Sequence, residues 1–338
     1  MNLGLSYYQD LLKRDEIKSF ISRSWSVSWP MTLIMFFEFL INLTDVFIAG
    51  KISKEIQAAY GFVTQIYFIF TVIGNALTVG TVSVISRLCQ SMEDESYSKA
   101  VFSTVVAASV AGLFLGIAGI FLTPIIFNFL DIPEVLKQFG RPLASMVLFI
   151  ILSALPENNI EIVAAFTNGL RIEAAIFLPA FAFNMSNAVV VGNLLGEKKK
   201  NDAFKAGLVT ASIGVGIVTM LTIAVILNAR FIVSLLSNNE IVIKESVKYL
   251  YICMISEPFM AWGVILGGGL NGAGDTRAVM IIVALSVWLV RIPLSYVFGV
   301  LFGLGAIAVW WSMNTSLFVQ AFFISRRYFN KRWLSDRI

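Results

Sequence analysis

The chain of 338 residues contains no histidine at all. A zinc or haem centre, or imidazole-based acid–base catalysis, therefore has little to build on. Two cysteines, Cys89 and Cys253, make no disulfide framework. Charged residues amount to only 14% of the chain, far below the quarter or so that a soluble domain carries. The N-terminal stretch Met1–Arg23 has no apolar core segment, so no cleavable signal peptide is expected. The glycine-rich GLNGAGDTR (269–277) lacks the Gly-Lys-Ser/Thr ending of a phosphate-binding loop and follows no strand; it reads as a turn. No nucleophile–base set is present, and no enzyme is expected. The net charge of +4 is no nucleic-acid signal, because the basic residues cluster at helix ends.

What remains is apolar. Hydrophobic residues make up 58% of the chain and the mean hydropathy is +0.82. The reading is an all-α, polytopic membrane protein of about nine spans. Runs at about 26–49, 58–86, 100–129, 141–155, 164–195, 206–229, 247–270, 278–302 and 304–325 are the candidates. Residues 11–21 predict a short amphipathic helix on the inner interface. Lys13, Arg14, Lys18 and Arg23 precede the first span, Lys198, Lys199, Lys200 and Lys205 lie between the fifth and sixth, and the tail RRYFNKRWLSDRI is basic. The positive-inside rule then puts both termini in the cytoplasm of a cell whose plasma membrane the chain crosses many times.

An ungapped shift of 106 residues relates Ile56 to Ile162, Ala58-Ala59 to Ala164-Ala165, Lys99-Ala100 to Lys205-Ala206 and Glu134 to Glu240. A unit at 56–155 thus repeats at 162–261, and the two halves, 1–155 and 156–338, are expected to be related bundles of the same orientation. That orientation conflicts with the join. The fourth span should end inside and the fifth begin outside, yet only Pro156–Val163 connects them, too few residues to recross about 30 Å of hydrocarbon. Either an internal segment with an odd number of spans is absent near Pro156, or the second half is inserted inverted, against its own charges.

The first span carries two acids. Glu38, Asn42 and Asp45 stand at i, i+4 and i+7, one face of a helix. A carboxylate at membrane depth faces a bundle interior or a wet cavity, so this stripe is the candidate cation site, for a proton or for Na⁺ at Asp45. The alternative is that Glu38 and Asn42 are interhelical hydrogen-bonding residues. Glu257 precedes Pro258 inside the seventh span, where a bend beside an acid serves a gate or is a simple kink. Arg171 and Glu173, two apart, point to different sides of the fifth span. Glu173 and Asn184 share a face that lines a cleft or satisfies a neighbouring helix. Arg291 is read as snorkelling to the outer interface, and Tyr67 and Trp262 as candidates for holding a flat cation.

Four stretches carry a resemblance: TDVFIAG (44–50), AAFTNGLRIEAAIFLPAFAFNMSNAVVVGNLLG (164–196), GLNGAGDT (269–276) and VRIPLSY (290–296). Together they resemble the multidrug and toxic compound extrusion (MATE) family. The resemblance implies two six-helix lobes as parallel repeats around a cleft. It would make the absent segment helices five to seven. It matches Asp45 to the acidic residue of the family's first helix and places Glu257 near an acid of the tenth. Arg171 and Glu173 fit the RIE signature of one branch. The expected function is a cation-coupled (Na⁺ or H⁺) antiporter, with no other cofactor. It would export amphipathic, cationic small molecules by alternating access and act as a monomer. The rivals are a lipid-linked saccharide flippase of the same superfamily and a shortened, non-transporting membrane remnant.

Overall fold

The structure, a computed structural model, describes residues 14–52, 74, 76–89, 94–129, 151–152, 159–237 and 239–334. Among them seven helical stretches are long and apolar enough to span a bilayer: Ile17–Ile41, Tyr97–Phe114, Glu161–Gly196, Lys200–Leu227, Glu240–Gly272, Thr276–Leu301 and Gly305–Phe329. Helices are what hydrocarbon demands, since each backbone group must find its partner within its own segment. The remaining expected spans, most of 58–86 and nearly all of 141–155, fall outside the described residues, as does the join at 153–158.

Helix α1 (Arg14–Ile52) runs without a break through Pro30. The expected interfacial helix is therefore, from Arg14 onward, the first turns of the first span. No glycine or proline separates the two parts, and Phe20 is buried against the bundle instead of lying on its surface. Helix α2 (Ala76–Leu88) and helix α3 (Asp94–Phe129) complete the described first half. The second half comprises α4 (Asn159–Gly196), α5 (Lys200–Leu227), the short α6 (Ala229–Ser234), α7 (Glu240–Cys253), α8 (Glu257–Gly272), α9 (Thr276–Leu285), α10 (Ile292–Tyr296) and α11 (Gly305–Phe329). Between α9 and α10 the chain takes a π-helical turn, Ser286–Arg291, and a second follows α10 at Val297–Leu301.

The core belongs to α4, α5, α7, α8 and α11. Phe166, Phe183, Tyr249, Leu250, Ile265, Leu266, Leu270, Trp310 and Tyr328 are all buried in one cluster. Ile151 and Leu152, expected at the end of the first half, sit in that same cluster. Lipid is as apolar as leucine, so these helices are held by close packing. Gly268 and Gly272, four apart on α8, lie against the backbone of Asn184 and Ala188, four apart on α4. A side chain at either glycine would force the crossing apart.

The basic segments collect at one end of the bundle. Helix α4 stops there with Lys198 in the left-handed conformation (φ 60°), and the Lys199 amide donates to the Leu194 carbonyl to close the turn. The GLNGAGDTR segment is a turn, as expected: α8 ends at Gly272, Gly274 takes φ 80°, and α9 starts at Thr276. Arg327 near the end of α11 grips Asp275 with two hydrogen bonds, 2.5 and 2.9 Å long. Since α4 finishes at this end, it starts at the opposite one, as the charge pattern requires.

Candidate ion-coupling site and cleft

The seventh expected span is broken where Pro258 stands. Helix α7 ends at Cys253, Met254–Ser256 form a 3-10 turn, and α8 restarts with Glu257. Proline is harmless in a helix's first turn, where its absent N–H has no role. The break is stitched from α11: Asn314 Nδ2 donates to the Ile252 carbonyl at 2.7 Å, and the Ser256 hydroxyl donates to Asn314 Oδ1 at 2.7 Å. The break thereby holds Glu257 at a helix N-terminus, where the dipole favours negative charge. Its carboxylate is only 3% exposed, and Oε2 has no hydrogen-bond partner among the described residues.

Four residues apart along the span come Tyr249, Cys253 and Glu257. The Tyr249 hydroxyl donates to Glu173 Oε1 on α4 at 2.7 Å. The Tyr249 ring is clamped: it meets Trp310 edge-on with centroids 4.7 Å apart, and Phe166 at 5.9 Å. Gly169 leaves room for the ring, because a Cβ there would strike it. Arg291 completes the group. It interacts electrostatically with Glu173, and its Nε donates to the Ser316 hydroxyl at 2.8 Å.

One residue behaves otherwise than expected. Arg291 does not snorkel outward. The π-helical turn Ser286–Arg291 lengthens the loop of chain by one residue per turn, which rotates the register and brings the guanidinium inward. Trp262 is half-buried and donates its indole N–H to the Ser325 hydroxyl at 2.9 Å; Tyr67 lies outside the described residues. Asn184 takes the second of its two readings: Nδ2 donates to the Val264 carbonyl at 2.6 Å and so serves α8. Arg171 and Glu173 diverge as their spacing requires, with Arg171 exposed and Glu173 half-buried at the Tyr249 bond. Tyr249, Ser316 and Asn314 were not singled out in the sequence; the four-residue spacing of Tyr249, Cys253 and Glu257 was the available signal for the first.

Helices α1 and α4 run side by side. At the basic end the two helices touch: Phe20, Ser24 and Ser28 of α1 are buried, the Ser186 hydroxyl donates to the Ser24 carbonyl at 3.2 Å, and Trp25 packs on Phe183. Beyond Thr32 no described side chain of α1 is buried. On α4, correspondingly, Arg171, Ala174, Ala175 and Phe177 are exposed. The helices therefore close at the basic end and part toward the other. Glu38 is exposed. It follows Phe20 by five helical turns and Ser24 by nearly four, so the three share one stripe of α1. Asn42 and Asp45 belong to the same helix, but their side chains lie outside what the structure describes.

Seven long apolar helices, with a carboxylate buried among them at Glu257, define the class: a polytopic helical membrane protein. Residues 30–162 and 133–297 each match the MatE family model. This chain belongs to the MatE family. The probable multidrug resistance protein NorM of Bradyrhizobium diazoefficiens is 30% identical over 179 residues, which cover 52% of this chain and 38% of that one. The chain thus spans well under half of that curated relative. Two solved structures share the fold. A MATE protein in complex with MaL6 superposes with a TM-score of 0.82 at 15% identity. A MOP superfamily transporter from Pyrococcus furiosus superposes with 0.81 at 16%. Each alignment covers 95% of this chain and 98% of the other.

Proposed function

We propose that this chain is a cation-coupled exporter of amphipathic, cationic small molecules that works by alternating access. The observation that carries the reading is the Glu257 carboxylate, almost wholly buried with one oxygen unpartnered among the described residues, and a second acid, Glu173, bonded to the same span at Tyr249. Two carboxylates in hydrocarbon cannot both stand charged without compensation. Arg291 and Tyr249 serve Glu173. Glu257 is left to take a proton or Na⁺ in one state and to release it in another. The stripe of Glu38, Asn42 and Asp45 on α1 is the counterpart in the first half. Bound cation would be exchanged for drug in the cleft between α1 and α4, and the name of the NorM relative supports multidrug substrates. The basic end of the bundle faces the cytoplasm by the positive-inside rule, which puts the open side outside and makes this conformation outward-facing in a plasma membrane.

The test is ethidium efflux from cells carrying this chain. Export that is lost in Glu257→Gln and in Asp45→Asn supports the proposal. Accumulation equal to that of empty cells would identify a non-transporting remnant. Binding of a lipid pyrophosphate in place of dye would identify a flippase.

A further inference from the structure

Within the second half, large side chains interlock: Phe166 on Trp310, Tyr249 on Trp310, Phe204 on Tyr328. Where the first half meets it at the basic end, Phe20 and Trp25 add apolar contact, but between and beyond them the partners are small and polar. Ser24 shares a hydrogen bond of 2.5 Å with Thr210 of α5. Ser86 of α2 lies over Gly192, the Arg87 backbone lies over Gly196, and a Cβ at either glycine would clash. The hydroxyls of Ser28 and Ser86 are buried there with no partner among the described residues. Buried hydroxyls without a protein partner are costly, and the cost is recovered if water reaches them in another state. Such polar contacts are cheap to open and have little of their own to hold them shut.

Two charged contacts hold it instead. Arg23 of α1 donates to Glu197 Oε1 at 3.0 Å, just past the end of α4, while Lys199 donates to the other oxygen at 2.8 Å. Arg87 of α2 donates from Nε to the carbonyl of Gly272 at 3.2 Å. That carbonyl is among the last of α8, where the helix dipole draws a cation. The left-handed glycine at 274 keeps the turn clear, since a Cβ at that position would run into the Arg87 guanidinium.

We infer that Arg23–Glu197 and Arg87–Gly272 are the latches of a gate that shuts the cleft at the basic end, with the glycines at 192, 196, 272 and 274 as the seat on which α2 closes. The inference rests on the alternating-access reading, but its test does not use transport. In a Cys89→Ser background, with Cys253 left in the core, Ser86→Cys reports on the closed seat by its labelling rate with a membrane-impermeant maleimide in inside-out vesicles. Slow labelling is expected with the latches intact. A rise of at least about tenfold is expected in Arg23→Glu, in Glu197→Arg and in Arg87→Ala, and a return to the slow rate when Arg23→Glu and Glu197→Arg are combined. Because Ser86 sits tightly against Gly192, Ser28→Cys serves as a second reporter that leaves α2 untouched. Labelling as fast in the latched protein as at Cys89 of the parent chain would overturn the gate. Rates that ignore charge reversal at both reporters, or no rescue by the swap, would overturn the latch. If the rates respond while ethidium efflux is absent, the export reading falls and the gate stands.

Discussion

Tyr249 donates its hydroxyl to Glu173 across the contact of α7 and α4, at 2.7 Å, and does so from a ring held by Trp310, Phe166 and the bare backbone of Gly169. The bond ties one acid of the candidate site to the broken span that carries the other. Replacing the hydroxyl alone tests it. Tyr249→Phe keeps the ring in its clamp and leaves Glu173 short of a donor, a loss of about 1–3 kcal/mol for a bond to a charged or partly buried group. Thermal unfolding in detergent should register a lower midpoint, and an unchanged midpoint would show that the bond contributes nothing.

Gly169→Ala attacks the same site from the other side. The new methyl group meets the Tyr249 ring, and overpacking of this kind costs about 1–3 kcal/mol. The midpoint of unfolding should fall while the helix content stays as it is. A stability equal to that of the unmodified chain would mean the ring is free to move away.

Glu257→Gln has the opposite signature. Glutamine keeps the shape and removes a charge that burial opposes. Thermal stability should be unchanged or higher, while any dye export is abolished. A clear loss of stability would mark Glu257 as one half of a structural ion pair and not as an exchangeable cation site.

The latch carries a pH dependence of known sign. Hydrogen bonding from Lys199 first, then from Arg23, holds the Glu197 carboxyl below its ordinary value near 4.5. A depressed acid stabilises the folded form fully above that value, and the contribution drains away as pH falls below it. The unmodified chain and Glu197→Gln should therefore differ in midpoint at neutral pH and converge as the pH falls through the lowered titration of this carboxyl. A difference that persists in acid would assign the effect to something other than this carboxylate.

At the same end, Asp275 and Arg327 form a two-pronged pair that pins the α8–α9 turn to α11. Both side chains are partly exposed, at 17% and 30%, so Asp275→Asn should cost no more than about 1 kcal/mol. Its local effect should be plainer than its global one: faster proteolysis between Gly272 and Arg277 with little change in midpoint. No change in cleavage would show that the turn holds itself.

Much of the architecture was legible in the residues themselves. Long apolar runs can only be helices in a bilayer, because no water is present to satisfy the backbone. The lysines at 198–200 and the arginines at 326 and 327 mark the ends of their helices. The turn at Gly274 followed from glycine at a left-handed position, and Arg171 and Glu173 had to diverge because they are two residues apart. Which face of each helix meets protein and which meets lipid was not legible. Both environments are apolar, so hydropathy shows no stripe that tells them apart. Arg291 illustrates the consequence: only the wide π-helical turn before it decides that the guanidinium points inward. Asn184 looked equally suited to a cleft and to a neighbour until α8 was seen crossing it at Val264.

The chain's composition by itself determined that it is a bundle of membrane helices whose acids are costly to bury, since the cost of charge in hydrocarbon is a property of the residue and the solvent. Tertiary structure alone decided that Tyr249 bonds Glu173, that Arg291 turns inward to Ser316, and that Arg23 meets Glu197 at the basic end. Those are distances between segments far apart in sequence, and they depend on crossing angles and helix register that no single segment encodes.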